Sequence, residues 1–466
     1  MVDLRTGDGE FQATLSEVLA RAQPGFRGIE SVERLTAGAS LETYSVWILV
    51  GSGRRRLALR RAIKGVPKAS ILWAPTIEAE AQLMIAARGA DIPSPEVEYV
   101  FRDEDGLGHG FIMEWLDGET LGHRIVRSDK FASVRPRLAY QCGEILGRIH
   151  SINLSATGIE SSLQRLSPAQ LLEFTVAWYR KFNVARPALE YAVKWLSEHI
   201  PPTSEFTLVH NDFRNGNFVV SESGIVAVLD WEHAFIGDPL RDLGWLCANS
   251  WRYGRSDLPV GGFGTYEELF AGYQSITGRR VELAAVRYWE VFGTLWWAVG
   301  CLQLAAQYHQ GLDRSIERLV IGRRVSECEL DCINLLMPGT QRLSAEAQDG
   351  TAECETLDVL DGVRSFLRES VDAAGPDRQG YLARVAANAL EIVRRDLLAG
   401  PRARQLEGER LRTLLGITGT LDQLRGELVH RLQDGRQKLD DPLLENHLRC
   451  TTAAQIAIDQ PKYVSL

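Results

Sequence analysis

Cysteine is scarce and unpatterned in this sequence. Seven Cys are scattered along 466 residues, and only nine His accompany them. No C-x-x-C occurs. A small disulfide scaffold is excluded and structural zinc is not expected. The thiols should be reduced and buried. A surplus of positive charge is missing too: 52 Lys and Arg stand against 61 Asp and Glu, a net charge of −9. Those totals give no reason to expect nucleic acid or an anionic membrane as a partner. Long hydrophobic runs are also absent. The longest, VFGTLWWAVGCL, is about 12 residues, too short to cross a bilayer, and reads as a buried helix. The first residues, MVDLRTGDGEF, have neither the basic start nor the apolar stretch of a secretory leader. A cytoplasmic protein is expected.

What is present is ordinary for a globular chain: 45% hydrophobic and 24% charged residues. At roughly 100–200 residues per domain, the length predicts two to four domains. Residues 32–50 read as two strands joined by a small-residue turn. Residues 55–63, 91–101 and 108–116 read as three more, with a helix over 76–89. That order makes an α+β lobe on an antiparallel sheet. After Asp117-Gly118 the pattern turns helical, with helices near 134–151, 165–180, 185–199, 265–275, 281–307 and 313–336. One interruption, 206–231, reads as a small β-hairpin. The polar, Pro- and Gly-containing stretch 338–350 is a linker candidate, and 351–466 carries helix formers with apolar residues at 3.6 spacing. The expected division is an N-terminal extension 1–27, lobes 28–116 and 117–337, the linker 338–350 and an all-α domain 351–466.

Chemistry concentrates in Val209-His210-Asn211-Asp212-Phe213-Arg214-Asn215-Gly216-Asn217 and in Val228-Leu229-Asp230-Trp231-Glu232. Two Asp and one Asn sit on turns beside short apolar runs, and Asp230 falls at a strand tip. Singly, such residues are commonplace turn formers. Together they offer oxygen ligands for a hard divalent cation and a further carboxylate to orient an acceptor hydroxyl. Phosphoryl transfer needs those parts.

H-N-D-F-R-N-G-N resembles the H-x-D-x-x-x-x-N catalytic loop of the aminoglycoside phosphotransferase and choline kinase family, small-molecule relatives of the protein kinases. L-D-W-E stands where protein kinases have D-F-G, and Gly237-Asp238-Pro239-Leu240-Arg241-Asp242-Leu243 resembles the family's G-D-P-x-x-D-L run. Leu57-Ala58-Leu59-Arg60 resembles the V-A-I-K strand, and Phe111-Ile112-Met113-Glu114-Trp115 the strand leading to the adenine hinge. The resemblance covers roughly residues 28–337. It implies a two-lobed protein kinase-like fold, α+β, with an antiparallel-sheet N-lobe and a mainly helical C-lobe, here followed by an additional all-α domain.

The resemblance also implies roles. Asp212 is the expected catalytic base. Asn217 and Asp230 are the expected ligands of Mg²⁺ on the phosphates of ATP. Arg60, held by Glu80, is expected on the α- and β-phosphates. The turn containing Gly38, Ala39 and Ser40 would close over them, and the backbones of Glu114, Trp115 and Leu116 would hold the adenine. His210 is expected to hold the loop together and Asp242 to brace it. Arg replaces the usual Lys at position 60 and offers a planar fork instead of a point charge.

Partners implied are a nucleotide and a small-molecule hydroxyl acceptor. Aromatics and the pair Arg252 and Arg255 in 251–300 suggest an acceptor that is neutral or acidic with an apolar body. Segment 287–311 resembles kinase-like domains associated with acyl-CoA dehydrogenases, which points to a hydroxyacyl-CoA or related acid. Two alternatives stay open: an aminoglycoside-type antibiotic kinase, and a nucleotide-binding pseudokinase or scaffold acting through its helical tail. For that tail, packing or homodimerisation is expected.

Overall fold

The computed structural model describes residues 8–35, 41–62, 73–202, 205–313, 315–337, 354–374 and 378–465. In chain order the elements are α1 (Asp8–Ala22), β1 (Phe26–Leu35), β2 (Leu41–Val50), β3 (Gly53–Ala62), α2 (Ile77–Gly89), β4 (Val97–Val100) and β5 (Gly110–Glu114). Then come α3 (Gly122–Arg127), α4 (Arg135–His150), α5 (Leu154–Thr157), α6 (Pro168–Arg180) and α7 (Pro187–Glu198). Four short strands follow, β6 (Thr207–Val209), β7 (Phe218–Ser221), β8 (Gly224–Val228) and β9 (Phe235–Gly237), and after them α8 (Leu240–Cys247) and α9 (Tyr266–Thr277). The remainder is helical: α10 (Leu283–His309), α11 (Ile316–Arg323), α12 (Val325–Leu336), α13 (Cys354–Ala374), α14 (Arg378–Leu415), α15 (Leu421–Gln433) and α16 (Pro442–Asp459).

Contacts group these elements into two units. The first comprises Met1–Ser167, Thr203–Cys247 and Leu258–Leu283; the second comprises Pro168–Pro202, Ala248–Asp257 and Ala284–Leu466. This grouping cuts the chain differently from the composition-based division: α6, α7 and α10–α12 fall in one unit with the C-terminal helices.

In the first unit β1–β5 form one antiparallel sheet of order β1-β2-β3-β5-β4. Alternation in β3 decides what each face carries. Leu57 and Leu59 bury themselves with Leu15, Val18 and Leu19 of α1, and with Val46, Ile48 and Ile112. Burial of each such side chain is worth about 1.5–3 kcal/mol. Arg61, on that same face, lies over the Phe11 ring of α1. The intervening residues Arg56, Ala58 and Arg60 take the other face. The segment read as an N-terminal extension thus supplies a helix and the start of β1, through a Leu15/Val18/Leu19 stripe at helical spacing.

Segment 206–231 does not fold as a single hairpin. β7 pairs with β8, but β6 pairs with β9, beyond the segment's end. The chain between β6 and β7 and the chain between β8 and β9 are thereby held side by side, and these two connections carry Asp212, Asn217 and Asp230. Gly216 sits between them at φ 111°, a conformation open to glycine, and a Cβ there would strike the Arg214 guanidinium.

In the second unit Leu411, Leu415, Leu424, Leu428, Leu432, Leu444 and Leu448 of the C-terminal helices share one core with Tyr191 of α7 and Ile333 of α12. α14 runs unbroken through Gly400-Pro401, where the sequence pattern divides into separate segments. The helix expected over 313–336 is instead two, parted at Arg324. The linker candidate 338–350 lies outside the described residues, as do Gly38, Ala39 and Ser40.

Candidate active site

The loop from His210 to Asn217 is fixed mainly by backbone contacts. Asp242, in the first turn of α8, accepts from the backbone N–H of His210 at 2.8 Å and of Asn211 at 2.7 Å. His150, at the end of α4, contacts the same carboxylate at 3.2 Å and the Tyr273 hydroxyl of α9 at 3.0 Å. Burial works against the charged form of Asp242, but the hydrogen bonds and charges it meets at His150 and His210 together outweigh it, and its carboxyl is held below the usual range. His210 is fully buried. The Asp212 N–H donates to its Nδ1 at 3.2 Å, and its Nε2 faces the Leu229 carbonyl at 3.1 Å. Burial lowers its pKa. A neutral ring with the proton on Nε2 satisfies both contacts.

Within this frame Asp212 is buried and receives three side-chain donors. Asn217 Nδ2 lies 2.6 Å from Oδ2, while Trp245 Nε1 at 2.9 Å and Arg214 Nε at 3.0 Å donate to Oδ1. Asn217 directly precedes β7, and its carbonyl accepts from the Leu229 N–H at 2.8 Å. The β7–β8 pairing therefore sets Asn217 beside the residue that precedes Asp230.

Asp230 has φ 68°, which turns its carboxylate back toward β3. Arg60 donates to Asp230 Oδ1 at 2.5 Å, meets Glu80 Oε1 at 3.0 Å and reaches Glu232 Oε2 at 3.5 Å. Thr76 caps α2 by accepting from the Ala79 N–H, which starts the helix in register to present Glu80 to this cluster. Three carboxylates thus converge on one guanidinium. Burial and the neighbouring Asp230 charge push the Glu232 carboxyl up. For Asp230, burial acts upward but the Arg60 charge and hydrogen bond prevail, and its pKa falls to about 2. Arg60 Nε is buried with no hydrogen-bond partner among the described residues.

Among the described residues no cluster of three or more His, Cys, Asp or Glu is arranged to hold a metal. The donors present fit a magnesium ion nonetheless. They are hard oxygens in a locally acid-rich site, and magnesium commonly takes one or two protein oxygens and completes its shell with phosphate and water.

Of the sequence-predicted residues, Arg60, Glu80 and Asp230 come together, as do Asp212 and Asn217. Glu114 ends β5, and Trp115 and Leu116 follow. The Trp115 ring stacks 3.6 Å from the Arg56 guanidinium. Beyond them, Glu119 exchanges two backbone hydrogen bonds with Val220 of β7, at 2.9 and 3.0 Å. Sequence reasoning missed Arg214, Trp245, Glu232 and His150. Glu232 was legible as a second acid in L-D-W-E; Trp245 has no such signal and is both buried and bonded to Asp212.

A model of the phosphotransferase enzyme family matches residues 31–278, just over half of the chain. The chain belongs to the phosphotransferase enzyme family. Acyl-CoA dehydrogenase family member 10 of Mus musculus is 32% identical to this phosphotransferase over 203 residues, covering 41% of this chain and 18% of the relative. Acyl-CoA dehydrogenase family member 11 of Gallus gallus is 29% identical over 251 residues, covering 50% and 30%. The chain thus spans under a third of the length of these curated relatives. A solved Ralstonia eutropha protein, assigned as an aminoglycoside phosphotransferase, superposes with a TM-score of 0.55 at 22% identity, covering 68% of this chain and 95% of that one. The fold is the kinase-like α+β one, with an antiparallel N-terminal sheet, a mainly helical remainder and a helical C-terminal region. A further model, described as a domain of unknown function (DUF6285), matches residues 373–463. No helix among the described residues is long and apolar enough to cross a membrane.

Proposed function

We propose that this phosphotransferase moves the terminal phosphoryl group of ATP to a hydroxyl of a small molecule in the cytoplasm, with a hydroxyacyl-CoA or related hydroxy acid as the acceptor. The observation that carries the reading is the pairing of Asp212 with Asn217 beside an Asp230 that is joined to Arg60 and Glu80. Asp212 accepts the proton of the acceptor hydroxyl. A bond forms from that oxygen to the terminal phosphorus, the bridging P–O bond breaks, and ADP leaves. Trp245 and Arg214 fix the Asp212 carboxylate so that it is aimed before substrate arrives. Asn217 spends its side-chain N–H on Asp212, which leaves its side-chain Oδ1, with Asp230, to hold magnesium. When bound, magnesium would supply charge neutralisation at the phosphate oxygens. Arg60 turns its fork from Asp230 to the α- and β-phosphates, while Glu80 keeps it in place. Gly38, Ala39 and Ser40 cover the phosphates, and the backbones of Glu114, Trp115 and Leu116 bind the adenine. The helical C-terminal region serves packing and homodimerisation.

Similarity to acyl-CoA dehydrogenase family members supports the acyl acceptor. Arg252 and Arg255 do not: Arg252 is wholly buried against Glu290 and Arg255 pairs with Asp257. The test is ATP turnover with a panel of hydroxyacyl-CoAs and aminoglycosides. Asp212→Ala should lower turnover on the true acceptor by about 10²–10⁴-fold with ATP affinity retained. Unchanged turnover in that variant refutes the base assignment. ATP binding without turnover across the panel favours the pseudokinase reading.

A further inference from the structure

The Asp212 carboxylate takes part of its orientation from Trp245, and Trp245 lies against a charge. α8 reaches the loop through two side chains. Asp242 accepts the backbone N–H groups of His210 and Asn211, and Trp245, three residues on, gives its Nε1 hydrogen to Asp212 Oδ1 at 2.9 Å. Positions three and four apart are neighbours on a helix surface. Arg241 stands four residues before Trp245, and its guanidinium carbon lies over the indole, 4.9 Å from the ring centre. The chain of contacts runs from cation to indole to carboxylate.

Filling this place in the fold does not require a cation. Arg241 is 0% exposed and among the largest fully buried side chains. Withdrawing a guanidinium from water is costly, and an apolar side chain of similar volume would occupy the space without that cost. Burial pushes the Arg241 pKa down to about 10, against the opposing charges of Asp242 and then Asp212. The group stays protonated at pH 7. Asp242 already has two backbone N–H groups and His150. Asp212 is the other acid whose charge Arg241 feels.

A desolvated cation over an indole face interacts more strongly than an exposed one, because no water screens it. It resists rotation of the ring, and it draws electron density from the ring so that the Nε1 hydrogen becomes a stronger donor. Both effects arrive at Asp212 Oδ1. The other oxygen, Oδ2, is held by Asn217 Nδ2 at 2.6 Å.

We propose that Arg241 is a positioning residue for phosphoryl transfer: through Trp245 it fixes the Asp212 carboxylate in the orientation that receives the acceptor proton. This rests on the reading of Asp212 as the base.

The test uses the full chain with ¹⁵N-labelled tryptophan. Arg241→Met removes the charge at similar volume, Arg241→Lys keeps a charge, and Trp245→Phe keeps a ring without the N–H. Arg241→Gln is a second neutral variant should Arg241→Met not fold. The Trp245 indole signal, assigned by its loss in Trp245→Phe, should move in Arg241→Met and in Asp212→Asn. Turnover is read as ADP release from Mg-ATP, with water as the acceptor and with 3-hydroxybutyryl-CoA. Arg241→Met should lower kcat roughly tenfold with KM for ATP unchanged, and Arg241→Lys should fall between it and the parent chain. Added to Trp245→Phe, Arg241→Met should cost nothing further. An arginine that merely balanced Asp242 would still be missed once the indole N–H is gone. The proposal is overturned if the indole signal is unmoved in Arg241→Met, if KM rises while kcat holds, or if the two losses multiply. Asp212→Ala separates this inference from the reading beneath it. Parent-like turnover in Asp212→Ala refutes the base assignment and the inference with it. An inactive Asp212→Ala beside an undiminished Arg241→Met refutes the inference alone.

Discussion

Two arginines, one in each unit, meet carboxylates in opposite proportions. Arg60 faces three acids, Glu80, Asp230 and Glu232. Arg252 is buried and shares one acid, Glu290, with Arg287, at 2.7 and 3.0 Å. Around Arg60 negative charge is in excess, so the cluster is complete only when more positive charge arrives. Around Glu290 positive charge is sufficient and the group is finished as it stands. Sequence alone made both arginines candidates for contact with a ligand, Arg60 with the nucleotide and Arg252 with the acceptor. Burial and local charge separate them: Arg252 is wholly buried beside an acid that a second arginine shares, and Arg60 lies among three acids.

The largest effect expected from this contrast is on stability. Arg252→Ala leaves Glu290 buried with one cation removed and should cost about 3–5 kcal/mol, read by urea denaturation. Its affinity for Mg-ATP, measured on the folded fraction, should not change. A cost below 1 kcal/mol would mean that the pair is not the structural element described. Arg60→Ala should act mainly on the ligand. Loss of charge-assisted hydrogen bonds to phosphate weakens Mg-ATP binding by roughly 10–100-fold, measurable by titration calorimetry. If ATP affinity is unaffected, Arg60 is a brace like Arg252 and the contrast fails.

The smallest effect is a pH dependence. Glu232 has a folded pKa raised above its ordinary value, so its ionised form costs stability at neutral pH, and that cost is relieved as pH falls through the raised value. Glu232→Gln should therefore be more stable than the parent chain at pH 7, with the difference shrinking toward acid. Asp230 has the opposite sign. Its lowered value, about 2 against an ordinary 3.8, contributes stability above pH 3.8 that is lost as pH falls toward 2. Asp230→Asn should flatten that acid limb. Denaturation midpoints between pH 2 and 7 would test both, and a Glu232→Gln difference that grows toward acid would refute the first.

Local signals made much of this legible. The L-A-L-R alternation places Arg60 on the face away from α1, and the Thr76 cap starts α2 in register to present Glu80. What stayed hidden is non-local. The β6–β9 pairing joins residues on either side of the whole catalytic segment, and no local pattern encodes it. Trp245 carries the same hydrophobic signature as any core tryptophan, and only three dimensions reveal its N–H on Asp212. α1 was visible in principle, since its apolar stripe has helical spacing, but three residues in a polar stretch are a weak signal.

The β7–β8 hairpin is stitched by main-chain bonds to two places that flank β4 and β5. Val228 donates to the Pro93 carbonyl, and Val220 and Glu119 bond each other. Gly118 fits beside this seam because a Cβ there would meet Val219 at 2.5 Å. The bonds fall just before β4 and just after β5, so the hairpin holds the sheet at its β5–β4 edge, opposite β1. Main-chain atoms alone make the seam, so it does not depend on which side chain stands at position 119.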